Sequence, residues 1–409
     1  MTGKISELTI NEHRSETSEL MCVKNVLLVS STRMSDGGVG ALFLKDAIAD
    51  IKGFIFEEYV HIPYDGIFQS KGSFEEWFRL LLLIFLRLRL IGVMRFLYFK
   101  FFIMPRIVRN IATRVERKEV ESVWLVASNI ELILLAAALS QVGVAIRVMV
   151  WDSPEYLIKN SKLLPSCSQK VMRAFEAAVK KAISVAVISQ NMQKLYFDRY
   201  GVNSIVIRHG INIEKPMGRQ RTEQEIKVVF AGSLYAKNEW NKFIAAMDSI
   251  NWVIDGKRIS VFFLGRFPQM GATLSPNVIL LGEKSFDEAL DVMAEMHIGY
   301  LPYWFAEGYK LAASTAFPGK LSAYTATGLA IFHHAPSYAE VSSFLDTYPF
   351  GVNCASLSKN RIVVDFKVLI DLMKNEKWKR FQNEAFNCEL SKKAMNERIF
   401  EFISCGGAQ

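Results

Sequence analysis

The sequence predicts an α/β protein made of two doubly wound domains, each a parallel sheet flanked by helices. Short apolar runs alternate with helical patterns along most of the chain, as they do in consecutive βαβ units. A polar segment at 214–225, with Pro216 and Gly218, interrupts this alternation once and is the predicted linker. The length of 409 residues also exceeds what one hydrophobic core usually serves.

The first half contains five apolar runs, and near-continuous apolar runs are typical of buried parallel strands. The runs cover residues 23–30, 122–127, 145–150, 184–188 and 204–207, with helical patterns at 39–51, 129–141, 168–180 and 191–200. These elements predict a domain over 22–213. It follows a polar leader at 1–21 that lacks the apolar core of a signal peptide.

The second half repeats the pattern and predicts a domain over 214–409. Its strands are predicted at 226–231, 260–264, 278–281, 297–301 and 329–333. A last helical stretch, at 376–402, is expected to pack back across the domains. Ligands of such sheets bind outside the carboxyl ends of the strands, so two domains facing each other across a cleft suit a two-substrate reaction.

The cysteines and histidines predict neither a disulfide framework nor a metal site. The five cysteines are scattered without a C-x-x-C pair, and the six histidines include no H-x-x-x-H pair. We therefore expect a protein of a reducing compartment, with no metal and no bound cofactor.

The net charge of +8 predicts an anionic partner, and the segment 78–117 concentrates that charge. It mixes many large apolar side chains with cations that include Arg87, Arg89, Arg95, Lys100, Arg106, Arg109 and Arg114. Arginines interrupt every window long enough to span a bilayer, which favours an amphipathic segment on an anionic membrane surface. The alternatives are a pair of core helices whose arginines reach the surface, and an RNA-binding segment.

Two features of the first half are candidate acceptor-side groups. The loop Gly37, Gly38 and Gly40 opens a helix directly after the first strand, which suits backbone approach to a phosphate. A plain strand-to-helix turn is the alternative, since Phe43 stands where a third glycine is expected. Asp152 follows the strand at 145–150, where it can serve as a general base or as a helix cap.

The second half supplies the candidate donor-binding residues, most of which follow predicted strands. They are Ser233, Leu234, Lys237, Glu283, Tyr303, Gly319 and Lys320. Pro318-Gly319 opens a helix that stops at Gly328, so the ammonium of Lys320 joins the free N–H groups and the dipole of its first turn. This convergence predicts an anion site.

The ordered motifs resemble those of GT-B glycosyltransferases over nearly the whole chain from Val23. The motifs are the glycine loop, Arg208-His209-Gly210-Ile211-Asn212, Ala231-Gly232-Ser233, and the block FPGKLSAYTATG from Phe317. The broad retaining (GT4-like) branch carries two glutamates where this chain has Thr315 and Ala323. The pattern is closer to the xanthan-type glucuronosyltransferases, inverting enzymes that act at the membrane on lipid-diphosphate-linked sugars.

That resemblance implies roles for individual residues. It implies that Lys320 binds the donor phosphate, that Gly282-Glu283 holds a uracil ring, and that Asp152 is the general base. Ala323 stands where that family has a glutamine, so no ribose contact is carried over. His209 is either a linker residue that satisfies the backbone or a donor to the transferred sugar.

The resulting expectation is a metal-independent, hexosyltransferase-like enzyme on the cytoplasmic face of the membrane. A nucleotide diphosphate-sugar, with UDP favoured, is the donor, and a lipid-linked or surface-polysaccharide glycan is the acceptor. Nucleic acid is not an expected partner. The alternative is a degenerate GT-B protein that binds nucleotide as a membrane-surface scaffold without turnover.

Overall fold

A computed structural model describes residues 24–35, 39–60, 91–161, 163–213 and 224–404. The described chain forms two compact units. The first comprises the residues up to Ile207 together with those from Arg398 onward, and the second comprises Arg208–Glu397.

The first unit is built on a six-stranded, wholly parallel sheet, as expected of a doubly wound domain. The strands are β1 (Lys24–Ser30), β2 (Phe54–Val60), β3 (Ser122–Val126), β4 (Ile146–Val150), β5 (Ser184–Val187) and β6 (Ile205–Val206), in the order β2-β1-β3-β4-β5-β6. All residues of β3 and β4 are buried. Apart from Ser122 and Arg147 these residues are apolar, as is typical of strands with helices on both faces of the sheet.

Helices connect these strands. They are α1 (Val39–Ala49), α2 (Ile91–Tyr98), α3 (Met104–Glu116), α4 (Ile130–Gln141), α5 (Pro154–Ser161), α6 (Pro165–Lys181) and α7 (Gln190–Tyr200). Four of them (α1, α4, α6 and α7) lie at the positions that the sequence pattern predicts. Polar side chains cap the starts of α4 and α7: Asn129 accepts from the Leu132 N–H, and Ser189 accepts from the Met192 N–H.

Strand β2 was not among the predicted strands because its sequence, FIFEEYV, carries two adjacent glutamates. Both carboxylates have distant partners. Glu57 receives two hydrogen bonds from the Arg114 guanidinium, at 2.9 and 2.5 Å, and Glu58 accepts from the Met34 N–H at 2.8 Å. Two adjacent glutamates, which in the sequence indicate a loop, are thus compatible with an edge strand.

The described part of the basic segment, 91–117, forms α2, a π-helical turn (Phe99–Ile103) and α3. One face is core: Phe96, Phe99, Ile107 and Ile111 are buried. Two of its arginines pair with carboxylates of the same unit, Arg95 with Glu131 at 2.6 Å and Arg114 with Glu57.

A second face of the same segment is exposed. Leu97, Phe101 and Phe102 are 40, 63 and 55% exposed, and Arg106 and Arg109 are exposed beside them. Residues 78–90 of the predicted segment lie outside the described residues. Among the described helices, none combines the length and the apolarity that a membrane crossing requires.

The second unit holds a parallel sheet in the order β10-β9-β7-β11-β12-β13. Its strands are β7 (Glu225–Ala231), β8 (Val253–Ile254), β9 (Lys257–Leu264), β10 (Val278–Gly282), β11 (Ile298–Pro302), β12 (Ala330–His334) and β13 (Gly351–Cys354). The short β8 pairs antiparallel with β9. The five predicted strands are present, and β8 and β13 are additional.

The helices of the second unit are α8 (Lys237–Ser249), α9 (Phe286–Ala294), α10 (Lys310–Thr315), α11 (Gly319–Ala326), α12 (Glu340–Thr347), α13 (Lys359–Met373) and α14 (Lys377–Ala385). The predicted stretch at 376–402 is not one helix. Helix α14 runs into a π-helical turn (Phe386–Leu390), Ser391 is extended, and α15 (Lys392–Ser404) follows. In the first unit, Phe402 packs edge-on against Trp124 at 5.5 Å, and its carbonyl accepts from Arg147.

Candidate active site

Lys320 is the second residue of α11, as the Pro-Gly signal predicts. Its ammonium lies 4.1 Å from the centre of the Phe230 ring and 5.4 Å from that of Tyr235. The residue is half-buried, and within the described residues no carboxylate pairs with it. Burial lowers the pKa of Lys320 to about 7. A cation at a helix start, held by aromatic faces and without a counter-charge, is suited to an incoming anion.

Two glycines lie at the ends of adjacent strands, next to Lys320. Gly232, after β7, has φ +86° and donates its N–H to Leu264, while Gly265, after β9, has φ +127°. A β-carbon on Gly265 would lie 2.9 Å from the Gly232 carbonyl oxygen, and one on Gly232 would lie 3.9 Å from the Lys320 Nζ. Because neither glycine has a side chain, the backbones of Gly232 and Gly265 can approach each other closely. The carboxyl ends of β7 and β9 are therefore open to a ligand.

Tyr324 joins α11 to the end of β7. Its buried hydroxyl accepts from the Ala231 N–H at 2.8 Å and donates to the Tyr300 carbonyl at 3.4 Å. Its ring fills the space beside Gly299, where an added β-carbon would lie 2.4 Å from a ring atom. Burial raises the pKa of Tyr324, so the phenol stays neutral and serves as both acceptor and donor.

We expect Tyr324→Phe to destabilise the protein by about 1–2 kcal/mol, because the Ala231 N–H then has no acceptor. The same change should weaken UDP binding, since α11 is no longer tied to β7. Urea denaturation and UDP titration measure the two effects. Tyr348→Phe is the control, since the hydroxyl of Tyr348 has no hydrogen bond within the described residues. Equal stability and equal UDP affinity of the Tyr324 variant would contradict this positioning role.

The Arg208 motif meets the Phe317 block in the second unit. The Arg208 guanidinium lies 4.3 Å from the Phe317 ring centre, and it pairs with Glu340 at 3.2 Å and with Glu389. Arg208 thereby supports the residue just before Pro318, where α11 begins. His209 is buried, with its ring 6.5 Å from that of Phe286, the first residue of α9. It therefore lies beside the helix that follows Glu283.

The other predicted donor residues occupy different environments. Ser233 and Glu283 are exposed directly after β7 and β10, so their side chains are available to a ligand. Leu234 is buried and offers only its backbone. The Lys237 ammonium donates to the Met270 carbonyl at 2.8 Å, which ties it to the loop after β9. Gly319 is the first residue of α11, where Pro318 supplies no side-chain cap.

Tyr303 lies at the carboxyl end of β11 and is only 4% exposed. Its N–H donates to the His334 carbonyl, and its ring packs edge-on against Tyr235 at 5.7 Å and Trp304 at 5.8 Å. A third edge-on contact, at 6.0 Å, joins it to His333. The ring thus supports neighbouring aromatic side chains, and a direct contact between Tyr303 and a donor remains a prediction.

In the first unit, Asp152 follows β4 and is half-buried. The adjacent Ser153 performs the capping that the sequence left open for Asp152, because its hydroxyl accepts from the Tyr156 N–H at 3.3 Å. Within the described residues, Asp152 has no hydrogen bond or ion pair. Burial raises its pKa above the ordinary aspartate value. These properties suit a general base at the end of a central strand.

Gly40 has a packing role beside that carboxylate. A β-carbon on Gly40 would lie 2.9 Å from the Trp151 ring, and the same ring packs edge-on against Phe43 at 5.8 Å. Gly40 and Phe43 therefore both pack against Trp151 and position this residue, which directly precedes Asp152. Gly37 and Gly38 lie outside the described residues, so a phosphate-binding loop remains a prediction.

No protein-family model matches the chain, and no curated protein matches its sequence. Solved structures do match it. A sucrose-phosphate synthase from Thermosynechococcus elongatus is 10% identical, with a TM-score of 0.65 over 93% of this chain and 98% of that one. HepE from Anabaena, solved with UDP and glucose, is 12% identical, with a TM-score of 0.58 over 93% and 99%.

A third similar structure is a UDP-forming α,α-trehalose-phosphate synthase from Burkholderia xenovorans, solved with glucose-6-phosphate. It is 10% identical, with a TM-score of 0.55 over 93% of this chain and 99% of that one. At such low identities the similarity establishes the fold. The predicted fold class is confirmed: two doubly wound α/β units of the GT-B type.

Proposed function

We propose that this protein is a glycosyltransferase that takes a sugar from a UDP-sugar. The observation that carries the proposal is the Lys320 ammonium at the start of α11, beside the open end of β7, which pairs with no carboxylate of the described residues. A diphosphate is an anion that such a site favours. The GT-B fold supports the proposal, as do the similar structures described as bound to UDP or as UDP-forming.

The proposed reaction is a single displacement. Asp152 removes the proton of the acceptor hydroxyl as that oxygen attacks the anomeric carbon of the sugar. The bond from the sugar to the β-phosphate breaks, and UDP leaves with its charge stabilised by Lys320 and the start of α11. Inversion at the anomeric carbon follows from one displacement. In this scheme the cationic groups of the chain neutralise the leaving group without a metal.

We propose a lipid-linked or surface-polysaccharide acceptor at the cytoplasmic face of the membrane. Its support is the exposed face of α2 and the following turn, where Leu97, Phe101 and Phe102 lie beside Arg106 and Arg109. Apolar insertion and attraction to anionic lipid act together on such a face.

A nucleotide-binding scaffold without turnover is the second candidate. The positions of the two family glutamates support it: the Thr315 hydroxyl donates to the Leu311 carbonyl of its own helix, and Ala323 is buried. Neither position can offer a carboxylate to a sugar. Turnover of a UDP-sugar that depends on Asp152 would exclude this candidate.

The test is a thermal-shift titration with UDP, GDP, ADP and CMP. A ligand at one hundred times its dissociation constant should stabilise the protein by about 2.7 kcal/mol, enough for a visible rise in melting temperature. We expect UDP to give the largest rise. A protein that responds to none of the four nucleotides would contradict both candidate functions.

A further inference from the structure

An aromatic stack lies next to Lys320. Tyr235, from the loop after β7, is 4.7 Å from Trp304 between ring centres, and Trp304 stacks on Tyr309 at 4.8 Å with an interplanar angle of 16°. Tyr235 is 37% exposed, and Trp304 and Tyr309 are half-buried. We refer to these three residues as the aromatic wall.

The wall is built as a supported unit. The buried Tyr303 ring packs edge-on against both Tyr235 and Trp304, and it also packs edge-on against His333. Glu239, buried in the first turn of α8, accepts from the Phe305 N–H at 3.0 Å and so fixes the backbone next to Trp304. Partly exposed rings on such a rigid support form a preorganised apolar surface.

The strand order determines which part of a nucleotide-sugar can reach this wall. Along the carboxyl edge of the sheet, Glu283 follows β10, Gly232 and Lys320 lie at β7, and Trp304 lies just beyond β11. Strands are about 4.8 Å apart, so the end of β10 lies roughly 10 Å to one side of the end of β7, and the end of β11, which Trp304 follows, lies about 5 Å to the other side. A donor with its base at β10 and its diphosphate at β7 therefore directs its sugar to the wall.

We propose that the aromatic wall, Tyr235, Trp304 and Tyr309, binds the hexose of the donor and sets the preference among donor sugars. This inference rests on the proposed function, because it takes Lys320 as the diphosphate ligand. The C–H face of a pyranose carries partial positive charge and packs against the negative face of an aromatic ring. The adjacent ammonium holds the phosphate to which that sugar is attached.

Calorimetric titration tests the proposal, with UDP and four UDP-sugars as ligands: UDP-glucose, UDP-galactose, UDP-N-acetylglucosamine and UDP-glucuronate. We expect Trp304→Ala to raise the Kd of the best-bound UDP-sugar about tenfold, as loss of one aromatic contact would, while the Kd of UDP changes less than about twofold. Trp304→Phe keeps a ring face and should retain most of the affinity. Tyr309→Leu, at the outer end of the wall, should give a smaller loss in the same direction.

Phe262→Leu is the control, because Phe262 is also half-buried and also lies beside a lysine, Lys227, at 5.9 Å, but on β9 and outside the wall. It should leave both affinities unchanged. Equal losses of UDP and UDP-sugar in the Trp304 and Tyr309 variants would overturn the proposal, since the wall would then bind the base or only support the fold. Unchanged affinities would overturn it as well.

The wild-type titrations separate this inference from the proposed function. A wild-type protein that binds UDP but none of the four UDP-sugars would overturn the sugar-binding wall and leave the nucleotide site standing. A wild-type protein that binds neither UDP nor any UDP-sugar would overturn the proposed function and, with it, the proposal that the aromatic wall binds the sugar.

Discussion

Lys320→Met is expected to raise the Kd of UDP about 10- to 100-fold, the loss of a charge-assisted contact to phosphate. The same change should make the unliganded protein more stable by on the order of 1–2 kcal/mol. The reason is that the Lys320 ammonium is desolvated and has no carboxylate partner in the part of the chain that the structure describes, a cost only partly screened by solvent. A residue that destabilises the free protein and is needed for the ligand is a sign of a binding site.

The pH dependence of this stability difference has a defined direction. The folded-state pKa of Lys320 is about 7, below its ordinary value of 10.5. Between these pH values the unfolded chain binds a proton that the folded protein does not, so wild-type stability rises with pH relative to that of the variant. The stability advantage of Lys320→Met should therefore be largest near neutral pH or below, and it should vanish as pH rises towards 10.5.

Thermal unfolding at several pH values, with and without UDP, measures both effects. Lys227→Ala is the matched control, because Lys227 also lies over an aromatic ring, Phe262, and also belongs to the second unit. It should change neither the UDP response nor the pH profile. If Lys320→Met bound UDP as tightly as the wild type, the donor site would have to lie elsewhere.

The strands and helices that the sequence predicts best are those whose local pattern agrees with their burial. Strands β3 and β4 are uniformly buried in the sheet, and all their residues except Ser122 and Arg147 are apolar. Strand β2 was missed because its glutamates are satisfied by Arg114 and by the Met34 N–H, partners that no local window contains. Two adjacent charges with distant partners therefore concealed this strand from a prediction based on local composition.

The residues of the candidate site likewise fall into those that the sequence predicts and those that it does not. Lys320 was predictable because Pro318-Gly319 marks a helix start and the lysine is within one turn of it. The aromatic wall was not, because Tyr235 and Trp304 follow different strands and meet only when β7 and β11 lie side by side. Similarly, the sequence contains Asp152-Ser153 but does not tell which residue caps α5 until the hydroxyl of Ser153 is seen in place.

The basic segment shows the limit of reading charge from sequence. Arg95 and Arg114 lie in the same basic segment as Arg106 and Arg109, yet the first two pair with Glu131 and Glu57 while the last two are exposed. Part of the positive charge therefore stabilises the first unit. Within the described part of the segment, 91–117, the exposed charges are those available to a membrane or another anionic partner.

The largest effect on turnover is expected from Asp152→Asn. If Asp152 is the general base, the amide cannot accept the acceptor proton, and the rate should fall by about 10²- to 10⁴-fold. The Kd of UDP should not change, since Asp152 belongs to the first unit and the proposed donor site to the second. UDP release from a UDP-sugar, measured with a membrane-lipid extract as acceptor source, gives the rate.

The pH profile distinguishes a base from a residue that only supports the fold. Burial raises the pKa of Asp152, so the wild-type rate should fall as pH drops through that raised value and the carboxylate is protonated. At the other end, loss of the Lys320 proton above about pH 7 should weaken donor binding. The wild type is therefore expected to show a bell-shaped profile of kcat/KM, and Asp152→Asn should lose its acid limb.

Asp198→Asn controls for the loss of one carboxylate from the same unit, because Asp198 is exposed on α7 and has no part in the proposed chemistry. It should retain the wild-type rate and both limbs of the profile. If Asp152→Asn kept the acid limb at a reduced rate, the titrating base would be another group and Asp152 would act only through position. If it kept the full rate, the single-displacement mechanism would lose its base, and a mechanism without enzymatic proton abstraction would have to replace it.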